Sequence, residues 1–105
     1  MDNFRIVYKI LRYLEKAMDY DEPDMDFISA GTLGISRRRW NAIIEMLTEN
    51  GYIKGIEIKI SADGNETVIS VNSPKITLKG LEYLHENSMM HKAASAAKGK
   101  VNIIK

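Results

Sequence analysis

The spacing of apolar residues at the start of the chain predicts a helix from about Asn3 to Asp19. Apolar side chains recur there at steps of three and four residues, which is the spacing of one buried helix face. The residues predicted to be buried are Phe4, Val7, Ile10, Leu11, Leu14, Ala17 and Met18. Residues 19–24 then hold four carboxylates and a proline, so a solvated connector is expected after this helix.

Two further helices are predicted, with a very short turn between them. Ser29 is placed to cap a short helix that Gly34 ends in the left-handed conformation. Ser36 is placed to cap the next helix, which Asn50 and Gly51 end. The apolar residues on one side of this longer helix are Trp40, Ile43, Ile44 and Leu47. Because so few residues separate the two helices, their axes must turn sharply, which predicts a helix-turn-helix.

A β-hairpin is predicted next. Residues 52–60, in which apolar and polar side chains alternate from Ile56 onward, are predicted to form the first strand, and the β-branched run at residues 67–71 is predicted to pair with it. Between the two strands, Asp63 and Gly64 favour a tight turn with positive backbone angles. The Asn-Ser-Pro sequence at residues 72–74 is expected to close the hairpin.

A last helix and an ambiguous tail complete the chain. Thr77 is placed to cap a helix that ends near Asn87 and carries three leucines, Leu78, Leu81 and Leu84, on one face. The apolar spacing continues from Met90 to Ile104, but Gly99 interrupts it. The tail is therefore open to three interpretations: a helix, a disordered segment or a stray strand.

Several phrases of the sequence resemble known proteins. The phrases LGISR (33–37), LTENGYI (47–53) and ITLKGLEYL (76–84) are similar to those of winged-helix regulators. The opening NFRIVYKIL (3–11) and the phrase YLHENSMM (83–90) resemble the two ends of the YjcQ family, small proteins of low-GC Gram-positive bacteria and their phages. The resemblance covers about residues 3–92. It implies a winged-helix fold and an association with phages or prophages, and it transfers no catalytic or binding residues.

The predicted fold class is therefore α+β, a winged helix-turn-helix with a three-helix core, a two-stranded β-hairpin wing and a C-terminal helix. Residues 1–88 form the expected domain, and residues 89–105 form a helical or partly disordered tail. A length of 105 residues agrees with one domain, since domains usually span about 50–250 residues.

The amino-acid composition excludes several classes of function and site. Fifteen basic against fourteen acidic residues exclude a bulk polycation, and the absence of cysteine excludes disulfides and zinc–thiolate sites. No leader or membrane-spanning run is recognisable, so a cytoplasmic protein without a membrane partner is expected. His85 and His91 are too far apart in sequence to share a helix face as metal ligands, and no catalytic motif accompanies them. We expect neither a cofactor nor enzymatic activity.

The candidate site begins with three arginines in the first turn of the longer helix, on the sides away from Trp40. Guanidinium groups bind phosphates or form hydrogen bonds with the major-groove edge of guanine. An asparagine in the next turn of the helix can form hydrogen bonds with adenine. A wing usually adds contacts of its own, here from its strand and its tip. The predicted DNA-binding residues are Arg37, Arg38, Arg39, Asn41, Lys59 and Asn65. Glu45 and Glu49 face the same way, so only the first turn is expected to approach phosphates.

The favoured hypothesis is a DNA-binding protein of phage or prophage origin that regulates transcription. The alternative is a winged-helix adaptor or self-association module whose arginines meet an acidic partner, or pair with the acidic connector. A helical tail would suit a homodimer through the C-terminal segment under either hypothesis. Placement separates the two hypotheses, because DNA binding requires Arg37, Arg38 and Arg39 to be exposed on a face shared with the wing.

Overall fold

A computed structural model describes residues 2–88, and its elements follow the predicted order. The helices are α1 (Asn3–Lys16), α2 (Ala30–Leu33), α3 (Arg37–Glu49) and α4, which begins at residue 78 and is described to residue 88. The strands are β1 (Ile53–Ile60) and β2 (Thr67–Ile76), and two short 3-10 turns, Ala17–Asp19 and Met25–Ile28, lie between α1 and α2. The fold is α+β with a winged helix-turn-helix arrangement, as predicted.

Helix α1 starts where Asp2 caps it, because the Asp2 carboxylate accepts a hydrogen bond from the backbone N–H of Arg5 at 2.8 Å. Its buried residues are Ile6, Ile10, Leu11 and Leu14. Two residues predicted to be buried are exposed, Phe4 by 77% and Met18 by 62%. Phe4 lies about 120° around the helix from Ile10. Met18 lies in the 3-10 turn, where the tighter winding shifts its direction.

The helix-turn-helix has the predicted caps. The Ser29 hydroxyl accepts a hydrogen bond from the backbone N–H of Thr32, and Gly34 ends α2 with φ at 71°. The Ser36 hydroxyl accepts from the backbone N–H of Arg39 at 3.1 Å, which fixes the start of α3. These local bonds fix the sharp turn that places α3 across the rest of the domain.

Trp40 packs into the core, as the periodicity of α3 predicts. It is 5% exposed, and its indole Nε1 donates a hydrogen bond to the carbonyl of Ile28 at 2.8 Å. The core cluster comprises Ile6, Ile10, Leu11, Leu14, Ile28, Ala30, Leu33, Trp40, Ile43, Ile44, Leu47, Ile53, Ile76 and Leu84. Because every helix and both strands contribute to one cluster, the position of α3 relative to the hairpin depends on this packing.

The second strand of the hairpin is longer than predicted. Strands β1 and β2 are antiparallel, from the pair Ile53 and Ile76 at the base to Ile60 and Thr67 near the tip. The expectation that residues 72–74 close the hairpin is wrong, because β2 continues through them to Ile76. The register shifts at Gly55, and Pro74 lies opposite this irregularity, where the ladder requires no donor from it.

Helix α4 begins at its predicted cap, since the Thr77 hydroxyl accepts from the backbone N–H of Gly80 at 3.1 Å. Leu84 is buried, but Leu78 is 74% exposed and its predicted burial is wrong. Helix α4 approaches the chain closely at Gly80, where a Cβ would lie 2.4 Å from the Tyr52 carbonyl oxygen. Leu78 lies about 160° around the helix from that contact. The predicted tail, residues 89–105, lies outside the described residues.

Candidate nucleic-acid interface

The first turn of α3 carries the predicted cationic cluster. Arg37, Arg38 and Arg39 are all exposed, while Trp40 beside them is buried. The guanidinium carbon of Arg37 lies 5.0 Å from the centroid of the Trp40 ring. This cation–π contact holds the Arg37 side chain over the edge of the core with its charge at the surface. The N-terminal turn of α3 is therefore anchored in the core by Trp40 and carries positive charge at the surface.

A groove of about 570 Å³ separates α3 from the start of β2. Its lining residues are Arg37, Arg38, Asn41, Ala42, Glu45, Asn65, Glu66, Thr67, Val68 and Ile69. The fold thus brings together four of the six predicted site residues: Arg37, Arg38, Asn41 and Asn65. Two walls of different origin, one helical and one from the hairpin, form a single concave surface.

Asn41 connects the two walls of the groove. Its side-chain Nδ2 donates a hydrogen bond to the carbonyl oxygen of Thr67 at 3.3 Å. Its Oδ1 is buried and has no hydrogen-bond partner within residues 2–88. A buried acceptor without a partner costs about 1–3 kcal/mol, so this contact holds the hairpin against α3 only weakly.

The other two predicted residues lie outside the lining of the groove. Lys59 is exposed on β1, and its Nζ lies 3.8 Å from Oε2 of Glu57. Arg39 is exposed on the other side of the α3 first turn, and its backbone N–H serves the Ser36 cap. A contact to Lys59 would therefore need a ligand that extends beyond the groove.

The charges that line the groove balance. Arg37 and Arg38 contribute two positive charges, and Glu45 and Glu66 contribute two negative charges. Within residues 2–88, no carboxylate lies within ion-pair distance of Arg37 or Arg38. Of the two glutamates expected to face the candidate site, Glu45 lines the groove and Glu49 is not among its lining residues. The two guanidinium groups of the groove therefore remain available to an anion, although the carboxylates limit how far it can enter.

The tip of the hairpin is held in shape by its own polar side chains. The Asp63 carboxylate accepts hydrogen bonds from the Ser61 hydroxyl and, at 3.0 Å, from the backbone N–H of Asn65. Gly64 has the positive φ that the turn requires, at 75°. The same hydrogen bonds, the one from Ser61 first, lower the pKa of Asp63 below its ordinary value. Asn65 is thus positioned by the turn before any ligand binds.

Some groove residues were not identified from the sequence. Ala42 lies one turn after Arg38 on the same face of α3, so helical spacing alone was sufficient to find it. The hairpin wall, residues 67–69, gave no such signal, because its position depends on how the hairpin packs against α3. Glu66 lies on the same wall and is placed there by the same packing.

The chain matches a known protein family. The family described as YjcQ protein matches residues 8–102, which is most of the chain. The chain belongs to the YjcQ family. Comparison of this family member with curated proteins and with solved structures gave no significant match.

Two findings concern other kinds of site in this YjcQ-family chain. Within residues 2–88, no group of three histidine or carboxylate side chains is arranged to hold a metal ion. None of the helices in the same stretch combines the length and the apolar character needed to cross a bilayer.

Proposed function

We propose that this member of the YjcQ family is a cytoplasmic, non-enzymatic protein of phage or prophage origin that binds double-stranded DNA and regulates transcription. The groove between α3 and the hairpin is the proposed contact surface. The observation that carries the proposal is the lining of one groove by Arg37 and Arg38 from the first turn of α3 and by Asn65 from the hairpin tip.

The geometry suits a helix that enters the major groove by its first turn. Arg38 points away from the core, about 160° around the helix from Trp40, so it can reach base edges or phosphates. Arg37 is held at the side of the helix by its contact with Trp40. Asn65 then contacts the sugar–phosphate backbone of the DNA next to the major groove, as the wing of such a protein does beside its recognition helix.

The carboxylates set the limits of the proposed binding. Glu45 lies about two turns beyond Arg38 on α3 and would meet phosphates unfavourably if the helix were inserted more deeply. Glu66 opposes an anion from the hairpin wall. We therefore expect weak binding that decreases steeply with salt.

Replacing Arg37, Arg38 and Arg39 together with alanine tests the proposal. The triple variant should lose retardation of duplex DNA, while its free energy of unfolding should change by no more than about 1 kcal/mol, because the arginines are exposed. A matched control replaces Lys9, Arg12 and Lys16 on the outer face of α1 with alanine and should retain binding. Equal retardation of DNA by the wild type and the Arg37–Arg39 variant would exclude the proposal.

Glu66→Gln provides a test of opposite sign. Removing a negative charge from the groove should raise duplex affinity by a few-fold at low salt, because it removes repulsion from phosphates. The affinity is measured by fluorescence anisotropy at two salt concentrations. A sequence preference can be found at the same two concentrations by selection from a random duplex pool.

The mixed lining of the groove also favours a second candidate, an adaptor that binds a protein segment. Val68 is 44% exposed beside the two cations and two carboxylates, a mixture that fits a peptide of both charge signs. If Glu66→Gln leaves duplex affinity unchanged and the arginine variant still binds DNA, the adaptor becomes the better account.

Homodimerisation through the C-terminal segment stays a prediction, since that segment lies outside the described residues.

A further inference from the structure

The outer face of α1 carries a line of basic residues that the candidate DNA site does not use. Arg5, Lys9, Arg12 and Lys16 follow one another at steps of four, three and four residues, and all four are exposed. At 100° per residue they fall within an arc of about 60°, and they extend over about 16 Å of the helix. We call these four residues the basic stripe. It lies opposite Ile10 and the rest of the buried face.

Most of the basic stripe has no counter-charge in direct contact. Within residues 2–88, only Arg12 of the four forms an ion pair, with Glu15 one turn away, while the backbone N–H of Arg5 and then its charge help to lower the pKa of the neighbouring Asp2 carboxyl. Glu15 is also the only acidic residue of α1. A helix side with one sign of charge and almost no ion pairs is available to a partner of the opposite sign.

The complementary charge lies next to the stripe in the same molecule. Residues 19–26, the acidic connector, carry five exposed carboxylates, on Asp19, Asp21, Glu22, Asp24 and Asp26. The connector folds back along α1, since the backbone N–H of Asp24 donates to the Tyr13 hydroxyl at 2.6 Å and the Phe27 ring stacks on Tyr13 at 5.4 Å. A positive and a negative surface therefore lie side by side.

The same two segments carry exposed apolar side chains. Half of the eight large apolar residues exposed within residues 2–88 lie on α1 or in and beside the connector: Phe4, Met18, Tyr20 and Phe27. Aromatic rings next to carboxylates attract guanidinium and ammonium groups, and the stems of arginine and lysine pack on such rings. The connector thus offers both charge and apolar surface to a basic helix.

These neighbours decide which partner fits. Helices α1 and α3 bury their inner faces in one core, and none of the four stripe residues lines the groove. A polyanion lying along the stripe would meet the five carboxylates of the connector and be repelled. A bilayer would meet the same carboxylates, and the apolar face of α1 is already buried. The fitting partner carries an acidic patch for the stripe and a basic patch for the connector.

We propose that the basic stripe and the acidic connector bind a second copy of this chain across a two-fold axis. The stripe of each copy contacts the connector of the other, so the complementary contact occurs twice, as a two-fold interface requires. Tyr20 and Phe27 receive the cations of the partner. This association is independent of the proposed DNA binding and involves none of the groove residues.

The charge pattern determines how the dimer behaves. Exposed ion pairs each contribute little and are screened, so the dimer is weak and dissociates as salt rises. Sedimentation equilibrium of the full chain should show a mass above that of the monomer at low salt. The mass should approach that of the monomer near ~1 M salt, where the screening length falls to about 3 Å.

Charge substitution on each surface tests the contact itself. Lys9→Glu with Lys16→Glu takes the stripe from four positive charges to a net charge of zero, and Asp21→Lys with Glu22→Lys takes the connector from five negative charges to a net of one negative charge. Each double variant alone should associate at least about tenfold more weakly, because most of the attraction in both contacts is removed. An equimolar mixture of the two variants should associate more strongly than either variant alone, because the mixed dimer keeps one contact between an unchanged stripe and an unchanged connector. Circular dichroism establishes that each variant is folded.

A control separates position from net charge. Arg38→Glu with Lys59→Glu changes the charge by the same amount as the stripe variant but lies at the groove and the wing, so self-association should persist. This control is expected to lose duplex binding, which keeps the two proposals distinguishable. The dimer proposal is overturned by a chain that is monomeric at low salt, by an association that neither double variant weakens, or by a mixture that associates no more strongly than the separate variants.

Discussion

Helix α3 has one side in the core and one side on the groove, and the two sides are built differently. On the core side, Trp40, Ile43, Ile44 and Leu47 are at most 5% exposed and pack in one cluster. On the groove side, Arg37 and Arg38 are exposed, and one hydrogen bond from Asn41 reaches the hairpin. Stability and recognition therefore depend on different helical positions and can be changed separately.

The hairpin repeats this contrast along its length. At its base, Ile53 and Ile76 pair with each other and are 3% and 7% exposed. Near its tip, Ile60 is 70% exposed, and the turn depends on hydrogen bonds among Ser61, Asp63 and their neighbours. The base belongs to the core, and the tip belongs to the surface that forms the groove.

Trp40→Ala should have the largest effect, on the core side. Removing a buried aromatic side chain costs about 3–5 kcal/mol, and the Ile28 carbonyl also loses its donor. Urea denaturation measures the loss. Arg38→Ala in the same helix should change the free energy of unfolding by less than about 0.5 kcal/mol. Similar stabilities of the two variants would contradict the division of α3 into two sides.

Gly55→Ala should come next, at the base of the hairpin. Gly55 has φ at 84°, and a Cβ there would lie 1.9 Å from the Ser73 carbonyl oxygen, so the backbone must move. We expect a loss of about 2 kcal/mol or more, from the left-handed conformation and the overpacking together.

Gly64→Ala is the matched control for Gly55→Ala at the tip. Gly64 has a similar φ of 75°, but a Cβ there meets open space. The loss should be only the cost of the left-handed conformation, about 1–2 kcal/mol. Equal thermal melting temperatures for the two glycine variants would mean that the contact between a Cβ at position 55 and the Ser73 carbonyl does not destabilise the protein.

Asn41→Ala should have a smaller effect, on the groove side. The substitution removes the hydrogen bond to Thr67 but also the buried Oδ1 without a partner, so the two contributions oppose each other. The free energy of unfolding should change by less than about 1 kcal/mol. Asn41→Asp keeps the shape but places a carboxylate oxygen against the Thr67 carbonyl, so it should be the less stable of the two in urea.

The smallest effect is expected from pH at the tip. Hydrogen bonds lower the folded-state pKa of Asp63, so its stabilising contribution is present above its unfolded pKa and is lost as pH falls through the folded pKa. A carboxyl titration by NMR should give a pKa for Asp63 below the ordinary aspartate value. Ser61→Ala should raise it, because the Ser61 hydroxyl is the first cause of the shift. An unchanged pKa in that variant would contradict this assignment.

The parts of the fold that depend on local bonds were predictable from the sequence. Ser29, Ser36 and Thr77 each cap the helix that follows, and Gly34 takes the left-handed conformation. Each of these features depends on a few neighbouring residues, whose preferences are physical properties of the side chains. The phase of Trp40 also followed from spacing within one helix.

Features that depend on where distant elements meet were not predictable in the same way. Phe4 and Leu78 have the right residue type for burial, but within residues 2–88 no neighbouring element covers them. Pro74 indicates the end of a strand when considered alone, yet the irregularity at Gly55 lets β2 continue past it. The hairpin wall of the groove likewise depends on tertiary packing.

The basic stripe differs from these cases, because its signal was present in the sequence. Arg5, Lys9, Arg12 and Lys16 have helical spacing, but the first thirty residues are acidic overall because they include the acidic connector, so their net charge does not indicate a basic surface. Charge, like hydrophobicity, needs to be followed around the helix as well as along the chain.

The contact between Arg37 and Trp40 gives this protein a built-in optical reporter. Trp40 is the only tryptophan of the chain, and a guanidinium group lies over its ring at the mouth of the groove. A ligand that draws Arg37 toward itself removes a positive charge from the face of the indole, which shifts its emission. Occupancy of the groove can therefore be followed by intrinsic fluorescence, without a dye or a label.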